Sequence, residues 1–382
     1  MISVNEKELR INKIKSMLQQ KNVDAILLSS NVNLLYASGE IFAGYLYIPL
    51  SGDIMTFKRT EQDGCIPFKN VGDIVKIILA QNFVPSSISF EDEHILASDF
   101  LRLNTAFSGF HVVTNKNIMR LTRTIKTDYE LAQISESAKI HNELYKKIPS
   151  LYKSGMTDIE FSVEIEKQAR LMGHIGIFRA FGGKIECFMG SILSGKNAAY
   201  PSPFDFALGG KGVSAAAPVG ACNSVMNKGE TVMVDLSGNT TGYLSDMSRT
   251  FSVGEIHSGA TELHKIALEI ESKCEEMLKP GTRCCDIWDK AYAMVSEYNV
   301  LDNFMGTKKQ ARFLGHSLGL EINEPPVITK RDETLLQENM VIALEPKFVI
   351  EEIGAVGIED TYIITKKGCE KITLAKSKII RM

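Results

Sequence analysis

Five side chains of types that bind metal ions follow one another in the C-terminal third of the chain. Four are carboxylates and one is an imidazole: Asp235, Asp246, His316, Glu345 and Glu359. This oxygen-rich set suits Mn, Co, Fe or Zn ions far better than a site built from thiolates would. Two such ions bridged by carboxylates activate water in hydrolysis. The residue types therefore predict a hydrolytic metal centre.

The first two of these residues are expected to lie on a β-hairpin. An apolar run ends at Asp235, and a second run, 243–253, follows the polar turn 237–242. Gly and Asn in that turn supply the positive φ angles that a tight turn requires. A fold about 240–241 places Asp235 directly opposite Asp246, with Cβ atoms about 4.5–5.5 Å apart. Two carboxylates this close repel each other unless a cation lies between them.

The last two carboxylates are expected to face each other in a similar way. Glu345 and Glu359 lie equidistant from Glu352, in a loop that Gly354 closes. One opposed pair of carboxylates is weak evidence of a metal site. Two pairs together with the glycine-flanked His316 are strong evidence.

The motifs around these residues resemble those of the pita-bread metallopeptidases. That family includes Xaa-Pro aminopeptidases, prolidases, methionine aminopeptidases and the metal-free creatinases. The matching segments are VDLSGNTTGYLSDMSRTFSVG, GHSLGLEINEPP, ENMVIALEPKF and GIEDTYIIT. Near the N-terminus, RINKIKSMLQQKNVDAILLSSNVNLLYASG is similar to the opening of the small domain of prolidases, aminopeptidases P and creatinase. The resemblance therefore covers nearly the whole chain.

The resemblance implies a role for each metal-binding side chain. Asp235 would chelate one ion, Asp246 and Glu359 would bridge both, and His316 with Glu345 would complete the other. Glu345 is also implied to be the base for the attacking water. The implied cofactor is two divalent metal ions, with Mn first and Co, Zn or Fe as alternatives.

The implied fold is α/β (α+β) with two domains. A small N-terminal creatinase-like α/β domain would span 1–125, and a C-terminal pita-bread catalytic domain would span 126–382. The sequence pattern favours the same division into two domains, because helix and strand signals alternate up to about residue 125 and long amphipathic helices follow. In the first part, the pattern predicts a buried strand at 25–28 and a helix at roughly 71–80.

Two histidines that face the substrate in active peptidases of the family are replaced in this chain. One would stand seven positions after the metal histidine, where Asn323 is found. The other would end a Gly-x-Asn-x-x-x-Pro-His segment, where Ser202 follows Pro201. The candidate catalytic residues are therefore Glu345, Asn323 and Ser202. Asn and Ser donate hydrogen bonds but cannot carry a proton near neutral pH.

Two functions are compatible with these observations. The first is a dinuclear metal-dependent hydrolase, similar to Xaa-Pro aminopeptidases and dipeptidases, that cleaves short proline-containing peptides. The alternative is a divergent member of the family that uses its metals on a non-peptide small molecule, as creatinase acts on a non-peptide C–N bond. The replaced histidines favour the second function, and the complete set of metal-binding residues favours catalysis.

Composition argues against several other classes of protein. The 382 residues are 44% hydrophobic and 23% charged, as in soluble globular proteins. The net charge of −3 gives no electrostatic reason to expect nucleic acid or an anionic membrane as partner. An N-terminus without an apolar signal core and seven cysteines without zinc-like spacing predict a cytoplasmic protein with reduced thiols. The resemblance to prolidases implies a homodimer.

Overall fold

The computed structural model describes residues 2–60, 62–182, 185–204 and 206–382. The chain divides into two compact units, the first ending at Arg123 and the second spanning Thr124–Met382. Among the described residues, every helix is too short or too polar to cross a lipid bilayer.

The first unit is built on a six-stranded mixed sheet. Its strands are β1 (Ala25–Leu28), β2 (Gly44–Pro49), β3 (Met55–Lys58), β4 (Ile66–Pro67), β5 (Ser87–Ser89) and β6 (His111–Val113). Its helices are α1 (Val4–Gln20), α2 (Asn31–Ser38), α3 (Val71–Leu79), α4 (Ala97–Ala106) and α5 (Ile118–Thr124), the last of which ends at the boundary. The strand order is β4-β3-β2-β1-β5-β6. The strand and the helix expected here, at 25–28 and 71–80, are confirmed as β1 and α3.

The second unit contains the remaining elements. Its helices are α6 (Asp128–Leu151), α7 (Asp158–Leu171), α8 (Ser258–Glu275) and α9 (Cys284–Glu297). Its first strands are β7 (Gly190–Ser194), β8 (Thr231–Asn239), β9 (Leu244–Ser252), β10 (Gly315–Ser317), β11 (Glu324–Ile328) and β12 (Val341–Leu344). The others are β13 (Lys347–Ile350), β14 (Gly354–Gly357), β15 (Asp360–Ile364), β16 (Cys369–Lys371) and β17 (Ile380–Arg381).

Two sheets of the second unit each pack against a pair of helices. The four-stranded sheet β17-β9-β8-β7 shares a buried apolar core with α6 and α7. The five-stranded sheet β11-β10-β12-β15-β16 shares another with α8 and α9. The strands β13 and β14 form a separate antiparallel ribbon. Burial of these apolar side chains is the main favourable term that holds the strands in place.

The predicted register of the hairpin formed by β8 and β9 is wrong by two residues. Asp235 pairs with Ser248, and Asp246 pairs with Ser237. The physical reason lies in the turn, where the positive φ is at Gly242, whose N–H donates to the Asn239 side chain. The turn is therefore centred one residue later than expected. The two aspartates are diagonal neighbours on one face, a spacing of about 7–8 Å rather than direct opposition.

The ribbon formed by β13 and β14 turns about Glu352, as predicted. Glu352 has a φ of 69°, and Lys347 pairs with Gly357 at the open end. Gly357 has a φ of +146°, and a Cβ there would collide with the Pro346 carbonyl oxygen. Glycine at position 357 therefore lets the two strands approach each other closely at the end of the ribbon that lies next to Glu345 and Glu359.

Candidate metal centre

All five predicted metal-binding residues line one cavity of the second unit. They come from β8, β9, β10 and the short segments that follow β12 and precede β15: Asp235, Asp246, His316, Glu345 and Glu359. The hairpin and the ribbon bring together residues that are separated by up to 124 positions in the sequence. These contacts depend on the packing of the two sheets of the unit.

Three of these residues form a compact group that fits a divalent ion. Asp246, His316 and Glu359 each offer a ligand atom, and these atoms lie within 4.8 Å of one another. The His316 Nδ1–H donates to the Ser317 carbonyl oxygen at 3.3 Å, which leaves the Nε2 lone pair for a cation. Burial lowers the pKa of His316, so its imidazole is neutral, as a metal ligand must be.

A lysine that the sequence pattern did not predict as part of the site occupies the other part of the cluster. The Nζ of Lys347 donates to Asp235 at 2.9 Å, to Glu345 at 2.7 Å and to Glu359 at 2.9 Å. Burial opposes its charge, but these three carboxylates raise the pKa of Lys347 well above its ordinary value. The sequence carried one signal of this contact, because Lys347 follows Glu345 by two residues in the ENMVIALEPKF motif.

The carboxylates of the cluster lie in an environment that penalises negative charge. Burial, followed by the charge of Glu359 and other neighbouring carboxylates, raises the pKa of Asp246 well above its ordinary value. Burial raises the pKa of Glu345 to about 7, against the opposing charge of Lys347. Burial and the Glu345 charge raise the pKa of Glu359 to about 8. Cations are the natural complement of such a group, since unpaired buried charges are costly.

The structure places the two candidate residues that replace histidines in different cavities. Asn323 lines the same cavity as the metal-binding residues, and its Oδ1 accepts from the Phe181 N–H at 2.7 Å. Ser202 lies in the wall of a neighbouring cavity, where its Oγ accepts from the Phe204 N–H at 3.0 Å. Both cavities are lined by Leu208. The catalytic role of Asn323 and that of Ser202 both stay predictions.

Apolar side chains form much of the cavity wall around the carboxylates. Three phenylalanines contribute to it, together with aliphatic side chains such as Ile322: Phe178, Phe206 and Phe313. Such walls exclude water and strengthen electrostatic interactions inside the cavity. An apolar side chain or ring of a ligand would find matching surface here.

Strand β15, which begins directly after Glu359, is anchored by buried charged groups. Arg249 and Asp360 form a buried ion pair at 2.6 Å. On the same strand, the Tyr362 hydroxyl donates to Glu271 at 2.9 Å. Burial and then the Asp360 charge raise the pKa of Glu271 to about 8 from its ordinary 4.5. The folded protein therefore holds a proton on Glu271 that the unfolded chain releases at lower pH.

Glu271→Gln is expected to reduce the dependence of stability on pH. Between pH 4.5 and 8 the wild-type folded state binds more protons at this site than the unfolded state. Its unfolding free energy should therefore fall as pH rises, by up to about 1.4 kcal/mol per pH unit. Glutamine mimics the protonated acid, so the variant should lose that slope. Denaturant unfolding at several pH values measures it, with the exposed Glu262→Gln as control. Equal slopes for both variants and wild type would contradict the assignment.

Comparisons with known proteins agree with this geometry. The sequence model described as metallopeptidase family M24 matches residues 132–366. An Xaa-Pro dipeptidase of Pyrococcus horikoshii is 28% identical over 392 residues, which cover 99% of each chain. An Xaa-Pro dipeptidase from Bacillus anthracis has a similar solved structure, with a TM-score of 0.82 and 23% identity over 98% of this chain and 100% of that one. An X-Pro aminopeptidase from Thermotoga maritima gives a TM-score of 0.79 and 22% identity, over 97% and 99% of the two chains. The predicted family resemblance and the pita-bread, mixed α/β fold are confirmed.

Proposed function

Because the chain belongs to metallopeptidase family M24 and is thus a metal-dependent hydrolase, we propose that it cleaves short peptides at a bond followed by proline. The observation that carries this proposal is the placement of Asp246, His316 and Glu359 around one point of an apolar-walled cavity. Relatives described as Xaa-Pro dipeptidases support the choice of substrate.

The residues of the cavity have separable roles in such a reaction. Asp246, His316 and Glu359 would hold a divalent ion, which when bound supplies Lewis acidity toward a scissile carbonyl and toward water. The Oε1 of Glu345 lies 3.5 Å from the His316 Nε2, and we assign this carboxylate the acceptance of the proton from the attacking water. The apolar wall would hold the proline ring and exclude bulk water. Asn323, on the same wall, would donate a hydrogen bond to the developing oxyanion.

The finer identity of the cofactor is also part of the proposal. The donors are oxygens and one imidazole nitrogen, a set that favours Mn first and Co, Zn or Fe next. The sequence predicts two ions per chain, and the number that the cluster accepts depends on Lys347. We further propose that residues 126–382 form the catalytic domain, that residues 1–125 form a creatinase-like domain, and that the protein is a cytoplasmic homodimer.

A dipeptide assay tests the proposed activity. The Mn-loaded protein is expected to cleave Ala-Pro and to leave Pro-Ala, which has the same composition in reverse order, largely intact. Removal of the metal with a chelator should abolish cleavage, and added Mn should restore it, because the proposed reaction needs the Lewis acid. Free proline is measured by chromatography. Cleavage that persists in the chelated, metal-free protein would refute a metal-dependent peptidase.

The second candidate function is hydrolysis of a non-peptide small molecule at the same metal centre. The observation that favours it is the asparagine at position 323, which lines the cavity where the resemblance implies a proton-carrying histidine. If metal-loaded protein cleaves no dipeptide of a broad panel, this candidate replaces the first. Its substrate would still need a polarisable carbonyl-type group for the metal and an apolar part for the cavity wall.

A further inference from the structure

Lys347 places a positive charge where three of the predicted metal-binding residues meet. Its Nζ lies within 2.7–2.9 Å of one oxygen each of Asp235, Glu345 and Glu359. The lysine side chain is fully buried. An ammonium group has three N–H donors and no acceptor. Three carboxylate oxygens therefore use all of its hydrogen-bonding capacity.

The remaining donors meet at a second, separate point. Asp246 and His316 join Glu359 there, with their ligand atoms within 4.8 Å of one another. Glu359 thus belongs to both groups, as a bridging carboxylate between two cations would. One of the two cation positions fits a divalent ion, and the other is filled by the ammonium of the chain itself.

We propose that the Lys347 ammonium takes the place of one of the two metal ions, so that the chain binds a single divalent ion at Asp246, His316 and Glu359. This inference rests on the proposed function and specifies its cofactor. The charge balance supports it. Four carboxylates with one ammonium and one divalent ion keep one negative charge, whereas a second divalent ion would leave a positive charge beside a fully buried ammonium.

Lys347 is therefore a positioning residue rather than a catalytic one. Because its donors are all engaged, it offers none to a substrate. Instead it holds the Oε2 of Glu345 at 2.7 Å, while the Oε1 of Glu345 lies 3.5 Å from the His316 Nε2. The ammonium thus orients the carboxylate toward the ion position.

Metal stoichiometry tests the inference without any activity assay. The metal-free protein is loaded with Mn²⁺, freed of excess ion by gel filtration, and analysed for Mn per chain. The wild type is expected to bind one ion and to show the electron paramagnetic resonance spectrum of an isolated Mn²⁺. Lys347→Met removes the ammonium and frees three carboxylates, so it should bind two ions and show the spectrum of a coupled pair.

Lys371→Met is the matched control, because Lys371 also lies among three carboxylates. Two of these, Glu271 and Glu275, accept from the Tyr362 hydroxyl, and Asp360 also pairs with Arg249. This variant is expected to keep the wild-type stoichiometry of one ion.

Each possible number of bound ions supports or overturns the proposed role of Lys347. Two ions in the wild type would overturn the role of Lys347 and leave the proposed function standing. No bound ion in the wild type would overturn the proposed metal-dependent function as well. One ion in both the wild type and Lys347→Met would show that the lysine does not fill an ion position. If Lys347→Met does not fold, the stoichiometry and spectrum of the wild type decide alone.

Discussion

Asp246→Asn is expected to abolish metal binding at the Asp246, His316 and Glu359 group and to lower hydrolysis by at least about 10³-fold. That factor corresponds to about 4 kcal/mol of transition-state stabilisation. The substitution removes one of three converging ligand atoms and its negative charge. A bound ion contributes several kcal/mol of charge stabilisation in reactions of this type. Bound Mn per chain and the rate of Ala-Pro cleavage are the two measurements.

Asparagine is chosen because it preserves the shape of the site. The Asp246 Oδ1 accepts from the Met247 N–H at 3.1 Å, and the asparagine carbonyl oxygen can accept the same bond. The metal-free variant should therefore melt near the wild-type temperature. Asp286→Asn, at a surface residue paired with Arg283, is the matched control and should retain full metal binding. Full occupancy and full activity in Asp246→Asn would remove Asp246 from the set of ligands.

Asn323→His is expected to raise kcat/KM for Xaa-Pro dipeptides by roughly 10²-fold if peptides are the substrates. A positioned general acid–base contributes roughly 10²–10⁴-fold, and the asparagine amide cannot supply it because it does not exchange a proton near neutral pH. A histidine Nδ1 can accept from the Phe181 N–H in place of the Asn323 Oδ1. The Nε2 would then be available to donate or accept a proton in the cavity. Steady-state kinetics on Ala-Pro measure the change.

Two further variants show whether the expected gain in rate requires a histidine at position 323. Asn323→Ala removes the contact with Phe181 without adding an imidazole and should not raise the rate. Ser202→His adds a histidine in the neighbouring cavity, so alone it should give a much smaller gain than Asn323→His. If Asn323→His adds nothing to dipeptide cleavage while metal occupancy stays full, the cavity is shaped for a non-peptide substrate and the second candidate function is favoured.

Much of the fold was predictable because local signals and family motifs agree. The apolar run of β1 ends at Leu28, where polar residues follow, and α3 begins directly after Asn70, which forms a capping box with Asp73. The centre of the loop at Glu352 was predictable because Glu345 and Glu359 are the same number of residues away from it, and the ribbon is regular on both sides of the turn. In each case the determining interactions lie within a few residues of the chain.

The hairpin register was not predictable in the same way. Several residues of the turn between β8 and β9 have turn-forming side chains, and each choice of centre gives a different pairing of Asp235 and Asp246. The bond between the Asn239 side chain and the Gly242 N–H selects one of them. The displacement of two residues keeps both aspartates on one face, because side chains on a strand alternate with a period of two.

The sequence by itself determined which side chains are available for metal chemistry and that the fold carries them on neighbouring strands. Only the tertiary structure decided which of the carboxylates contact the positive charge of a lysine. The segment ENMVIALEPKF by itself does not establish that Lys347 belongs to the site. Its role depends on contacts with Asp235 and Glu359, which are 112 and 12 positions away in the chain. The packing of β8 against the ribbon of β13 and β14 brings the three groups together, with Lys347 and Glu359 buried and Asp235 partly exposed. A buried ammonium needs such carboxylates to balance its charge, and these are the same carboxylates that a metal ion would bind.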